Sequence, residues 1–168
     1  MILGFPLPAV PFGQAIEEYQ LKAAFIFNIA KFVEWPADAF QNPKDPIVVC
    51  ILGASPFGDA LEKAASGKTI DDRRFAIRPV SDMRQAGSCH ILFVSSSERK
   101  RFRSILGEIA SSGILTVGDI ESFATEGGVV NLKLDGDKIR IRINVQAAGR
   151  ERIRISSKLL SLSQVVSP

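Results

Sequence analysis

Two short stretches limit what this chain can fold into more than anything else in it. Residues 47–52 read IVVCIL and residues 90–94 read HILFV, apolar with no polar residue at alternate positions. A strand with one face in water alternates with period two, so an unbroken apolar run of strand length suits a parallel strand covered on both faces. Each run stops at a turn or polar signal, Gly53 in one case and Ser95 to Ser97 in the other. Buried parallel strands need crossover helices, which makes α/β the expected class. At 168 residues, 46% hydrophobic and 23% charged, the chain can bury one sizeable core and is neither disordered nor of low complexity.

Other elements fit around these strands. Residues 16–34 place Tyr19, Ala23, Phe27, Ala30 and Val33 near three-and-four spacing, with Glu17 and Glu18 at the start and Trp35-Pro36 as a stop, which predicts a helix. Further helices are expected over 56–65, over 98–111 with Ser96 or Ser97 as cap, from Asp119 to about Thr125, and at KLLSL after Ser156 or Ser157. Strands are expected at 75–80 and 115–117. The last third differs: 129–134 and 138–143 flank Asp135-Gly136, the signature of a tight hairpin. The expected architecture is a three-layer sandwich with a mixed, mostly parallel sheet ending in an antiparallel hairpin.

The first fifteen residues carry no charge and three prolines, and resemble the apolar back half of a secretory signal with small residues at Gly13 and Ala15. The expected division is a residual signal-like segment at 1–15 and one domain at 16–168. No stretch approaches the 18 consecutive apolar residues of a membrane span. Export matters for Cys50 and Cys89, which have 38 residues between them. If their strands are sheet neighbours, the sulfurs can meet in a disulfide worth roughly 3–4 kcal/mol by loop entropy; two separately buried thiols are the alternative.

Several catalytic templates fail on inspection. Gly53-Ala-Ser-Pro-Phe-Gly58 lacks the lysine and hydroxyl of a phosphate loop, because Asp59 and Ala60 follow. Ser97 and Lys100 have the spacing of serine–lysine acylases but none of the companion motifs. His90 is the only imidazole and has no acidic partner evident nearby, so a satisfied core histidine is expected. Three Cys and His residues, two of them adjacent, are too few for a structural zinc site. No enzyme, metal or cofactor is expected.

Five blocks then carry a resemblance: EYQLKAAFIFNIAKFVEWP (18–36), CILGASPFGDAL (50–61), CHILFVSSSE (89–98), ILTVGDIESFATEGGVVNL (114–132) and RIRINVQAAGRERIRISSKLLSL (140–162). In order and spacing they resemble the YfiR-like family. The resemblance implies an α/β fold without catalysis and a periplasmic repressor, often dimeric, of a membrane-bound diguanylate cyclase. Its partner would be the periplasmic sensor region of that cyclase, or of a sensor kinase, with release by an outer-membrane lipoprotein.

Surface expectations follow from the residues themselves. Phe25, Phe27, Phe32 and Trp35 exceed what one helical face buries, so Phe25, Phe32 and Trp35 are candidates for partner contact, with core packing as the competing role. Arg140, Arg142, Arg150, Arg152 and Arg154 suit an acidic partner surface or a small anion. The net charge of +3 is too small for a nucleic-acid binder, and the second half of the chain holds all of it: 12 basic and 8 acidic residues against 9 and 10 in the first half. Ser55 and Phe57 lie where ligands enter open α/β sheets and are candidates for a ligand groove. A small-ligand sensor is therefore the second functional reading.

Overall fold

A computed structural model describes residues 12–167. The signal-like reading of the amino terminus falls mostly on residues 1–11, outside the described residues. Helix α1 (Phe12–Ala30) is followed by β1 (Val33–Glu34), β2 (Ile47–Leu52), α2 (Ala60–Ala65), β3 (Thr69–Ile70), β4 (Arg73–Val80) and β5 (Ile91–Val94). Then come α3 (Phe102–Glu108), β6 (Leu115–Gly118), β7 (Val130–Asp135), β8 (Lys138–Asn144), α4 (Val145–Arg150), β9 (Arg154–Ile155), α5 (Ser157–Ser161) and β10 (Gln164–Val166). Eight strands form one sheet in the order β10-β8-β7-β6-β5-β2-β4-β3.

The centre of that sheet is parallel. Strand β2 pairs with β4 on one side and β5 on the other, with Val49 opposite Ile91, and β6 and β7 continue in the same sense. All six residues of β2 and all four of β5 are buried, as unbroken apolar runs require. Alternation along the strands sorts the core into two layers. Ile47, Val49, Ile51, Ile91 and Phe93 pack with α1, α2 and α4, while Val48, Cys50, Leu52, Leu92 and Val94 pack with α3. The chain is thus a three-layer α/β sandwich whose β7–β8 hairpin is antiparallel, with Gly136 at φ +66° in its two-residue turn. Beyond the hairpin, β10 adds one more strand, parallel to β8.

Several boundaries differ from expectation, each for a local reason. Helix α1 starts at Phe12, upstream of Ile16, and ends at Ala30; Val33 and Glu34 instead pair with Ile155 and Arg154, making a separate two-stranded ribbon. The helix expected over 56–65 begins only at Ala60, because Pro56 and a positive-φ Gly58 occupy a turn. Segment 98–111 holds a 3-10 turn at Ser96–Glu98 and then α3, and the cap is Ser95, whose side chain accepts from the Ser97 amide. The helix expected after Asp119 is a series of turns to residue 127.

Candidate functional site

The parallel strands run in one direction, so the sheet has two chemically different ends. In open α/β sheets, ligands enter at the carboxyl ends where strand order reverses. Here that point lies between β2 and β5, and the protein's own loops fill it. Ser95 Oγ donates to the Ala54 carbonyl at 2.6 Å, and the Ala54 amide donates to Ser97 Oγ at 2.9 Å. Gly53, at φ +91°, lets the two loops approach; a Cβ there would stand 2.9 Å from Glu98 Cγ. Phe57 is buried, with its ring edge-on to Tyr19 and Phe93 at 5.4 and 4.7 Å. Phe57 therefore serves the core and is not a groove wall as expected, and the Ser55 hydroxyl accepts from the Phe57 amide at 3.3 Å.

Beside it lies a buried ionic cluster that the helical pattern of α1 concealed. Lys22, 2% exposed, projects from α1 towards Asp119 Oδ2 at 3.1 Å and also pairs with Glu18. Tyr19 donates its hydroxyl to the same Asp119 oxygen at 2.7 Å. Burial, followed by that hydrogen bond to a carboxylate, raises the Tyr19 phenol far above its ordinary pKa, so it stays protonated. Asp119 Oδ1 is buried without a partner in the described residues. The arrangement ties α1 to the end of β6.

The amino ends of the strands are open. A cleft of ≈ 550 Å³ there is lined by Asp38, Phe40, Arg78, His90 and Arg152 among others. His90 sits in its wall with both nitrogens used: Nδ1 accepts from the Val48 amide at 2.9 Å and Nε2 faces the Ala39 carbonyl at 2.9 Å. That pattern fixes the neutral Nε2–H form. Burial lowers its pKa, and the nearby Arg73 charge pushes the same way. Phe40 stacks on the imidazole at 4.2 Å, and Arg73 lies over the Phe40 ring at 3.7 Å. The Trp35 indole donates to the His90 carbonyl at 3.1 Å.

Cys50 and Cys89 form a disulfide with Cα atoms 5.9 Å apart, joining the middle of β2 to the residue preceding His90. Buried Glu151 holds the turn before β6, its carboxylate accepting from the Ser111 and Gly113 amides at 2.8 and 2.9 Å.

The aromatic and arginine candidates lie on several elements. Phe25, Phe32 and Trp35 are partly buried against the core, and Phe32 also lies 5.7 Å from the Lys158 ammonium. Among the described residues, Ile16, Leu21, Val145, Leu162 and Val165 are the exposed large apolar side chains, with Leu162 at 72%. Arg140 and Arg142 share one face of β8, whereas Arg150 ends α4. Arg152 reaches Asp38 at 3.4 Å, and Arg154 reaches Glu34 at 3.8 Å across the two-stranded ribbon. Sequence spacing groups the five arginines, but α4 and the switch into a second sheet put them on different elements.

Similarities to known proteins fit this architecture. A conserved domain protein from Vibrio cholerae O1 biovar El Tor superposes with TM-score 0.59 at 10% identity. The crystal structure of an ABC domain in complex with L-Trp from Streptococcus pneumonia superposes with TM-score 0.57 at 12% identity. Each match covers 89% of this chain and 60% of the other, so this chain spans about three fifths of those chains' length, and at such identity the likeness concerns the fold alone. No curated protein matches significantly. A family model described as YfiR/HmsC-like matches residues 19–164.

Proposed function

The chain belongs to the YfiR/HmsC-like family, and from that premise we propose that it is an exported regulator that binds the periplasmic sensor region of a membrane-bound diguanylate cyclase and lowers cyclic di-GMP synthesis. The family match supports a periplasmic regulator of such cyclases, and it carries the reading because it spans nearly every element from α1 to β10. The Cys50–Cys89 disulfide supports export, since such bonds persist in oxidising compartments. Among the described residues no helix is long and apolar enough to cross a membrane. In this proposal cleavage follows Ala15, the working unit is residues 16–168, the chain acts as a homodimer, and an outer-membrane lipoprotein releases it.

The test is direct. Purified chain should retain the periplasmic region of at least one cyclase from its native membrane, and deletion of the gene should raise cellular cyclic di-GMP. A nucleotide level unchanged on deletion would be inconsistent with repression; absence of any retained cyclase would remove the proposed contact.

A second reading is favoured by one observation, the open cleft at the amino ends of the strands. Its neutral His90 and the guanidinium groups of Arg78 and Arg152 suit a small anion or aromatic solute. A thermal-shift screen of such solutes should then show a concentration-dependent rise in melting temperature. A flat response across the screen counts against it.

A further inference from the structure

The net charge of the chain gathers at one corner. Segment 98–103, Glu-Arg-Lys-Arg-Phe-Arg, follows β5, and segment 121–142 runs from the turn after β6 through β7 and β8. Together these segments hold eight basic and five acidic residues, leaving thirteen of each in the remainder. The whole excess of +3 therefore lies here.

Four of the cations are paired, Arg101 with Glu98, Arg103 with Glu126, Lys133 with Glu121 and Arg140 with Asp135. The other four, Arg99, Lys100, Lys138 and Arg142, have no carboxylate within ion-pair distance among the described residues. The two segments meet around a crevice of ≈ 330 Å³ lined by Arg99, Lys100, Arg103, Glu121 and Ser122, with Phe102 buried behind it.

Glu121 shows what this corner accepts. Its carboxylate is 76% exposed, yet Lys133 bonds it at 2.8 Å from β7, and Arg142 of β8 and Arg99 from the segment after β5 also act on it. Those three cations hold it below the usual carboxylate range, the Lys133 hydrogen bond foremost. A glutamate presented on a turn thus already occupies a position where cations from two separate parts of the fold converge. An exposed pair of this kind is weakly held, so a competing carboxylate can displace it.

We propose that this corner is a docking surface for an acidic polypeptide segment of the partner protein, with Arg99, Lys100 and Arg142 as the receiving cations and Glu121 as an internal occupant that the partner displaces. The proposal rests on the regulator reading for the partner's identity and adds its chemistry: glutamate- or aspartate-rich, loop-borne and bound in a salt-sensitive manner. Complementary charge of this sort steers association and fixes orientation.

Hexaglutamate is the probe, titrated into the full chain at low salt and followed by amide chemical shifts and calorimetry. Shifts should concentrate at 99–103, 121–122 and 140–142. Arg99→Gln with Arg142→Gln should weaken binding about tenfold, while the charge-matched pair Arg74→Gln with Arg84→Gln, both exposed and outside the corner, should change it less than about twofold. Glu121→Gln should tighten binding about threefold, and Glu126→Gln less, since only the first removes the occupant. Unchanged thermal melting of the four variants establishes that they fold.

Equal weakening by both arginine pairs, or no tightening with Glu121→Gln, would overturn the proposal. So would binding of phosphatidylglycerol vesicles or inorganic phosphate at the corner with none of hexaglutamate. If a cyclase sensor region binds wild type and the Arg99→Gln, Arg142→Gln variant equally, the corner fails and the regulator reading stands. If no sensor region binds while hexaglutamate does so as described, the reading fails and the corner stands.

Discussion

The two ends of the parallel strands solve opposite problems with similar residue types. At the carboxyl end, charged groups are buried and lock elements together: Lys22, Asp119 and Tyr19 join α1 to β6, and Ser95 and Ser97 lace the loops after β2 and β5. At the amino end, the one imidazole is kept neutral, and the wall it stands in faces a cleft whose charges, Asp38, Arg78 and Arg152, are on the surface. The difference teaches that strand direction alone does not locate a site. The switch point between β2 and β5, most often open in this class of fold, is filled here, and a cleft of ≈ 550 Å³ lies at the other end.

Perturbing either end should break the contrast in a predictable order. Replacing Cys50 and Cys89 by alanine releases the amino end; at a sequence separation of 39, the loss should be about 4 kcal/mol by chain entropy, read by urea unfolding. Lys22→Met should cost about 3 kcal/mol by leaving Asp119 buried without its cation, and adding Asp119→Leu should recover much of it. A single Lys22→Met variant as stable as wild type would mean that the carboxyl end is not locked by charge. Glu151→Gln should cost about 2 kcal/mol, because two amides then lose a charged acceptor.

Acid supplies a subtler comparison. The folded-state pKa of His90 lies below its unfolded value, so the unfolded chain binds the extra proton first. The stability that His90 contributes is present above pH ~6.5 and is lost as pH falls through the lower folded value. The advantage of wild type over His90→Gln should therefore shrink on acidification from pH 7 to 5, measured by urea midpoints. A constant difference would show that the imidazole does not titrate with folding. The smallest effect expected is Ser97→Ala, about 1 kcal/mol from one lost hydrogen bond to the Ala54 amide.

How much of this was legible in the sequence depended on whether a signal was local. The runs at 47–52 and 91–94 identified buried parallel strands because no other placement covers both faces, and Asp135-Gly136 marked its hairpin. Lys22 was not legible: on a helical wheel it resembles any solvated lysine, and only the partner 97 residues away makes it a buried ion. Asp119 looked like a helix cap because capping residues and cross-fold acceptors are the same residue types. The arginines from 140 to 154 looked continuous because the chain's switch from the large sheet to the ribbon leaves no mark in residue spacing.

Trp35 stood out as a candidate contact residue, yet its indole N–H bonds the His90 carbonyl, an attachment that no sequence neighbour reveals. The basic corner could have been found from Arg99-Lys100-Arg101-Phe102-Arg103 alone. Its relation to Arg142, however, needs the strand order.

The measurement that bears most directly on the regulator reading is cellular cyclic di-GMP in the native organism with the gene deleted and then restored. Repression predicts a rise on deletion that returns to the starting level with the wild-type chain. A level that does not move on deletion would contradict it.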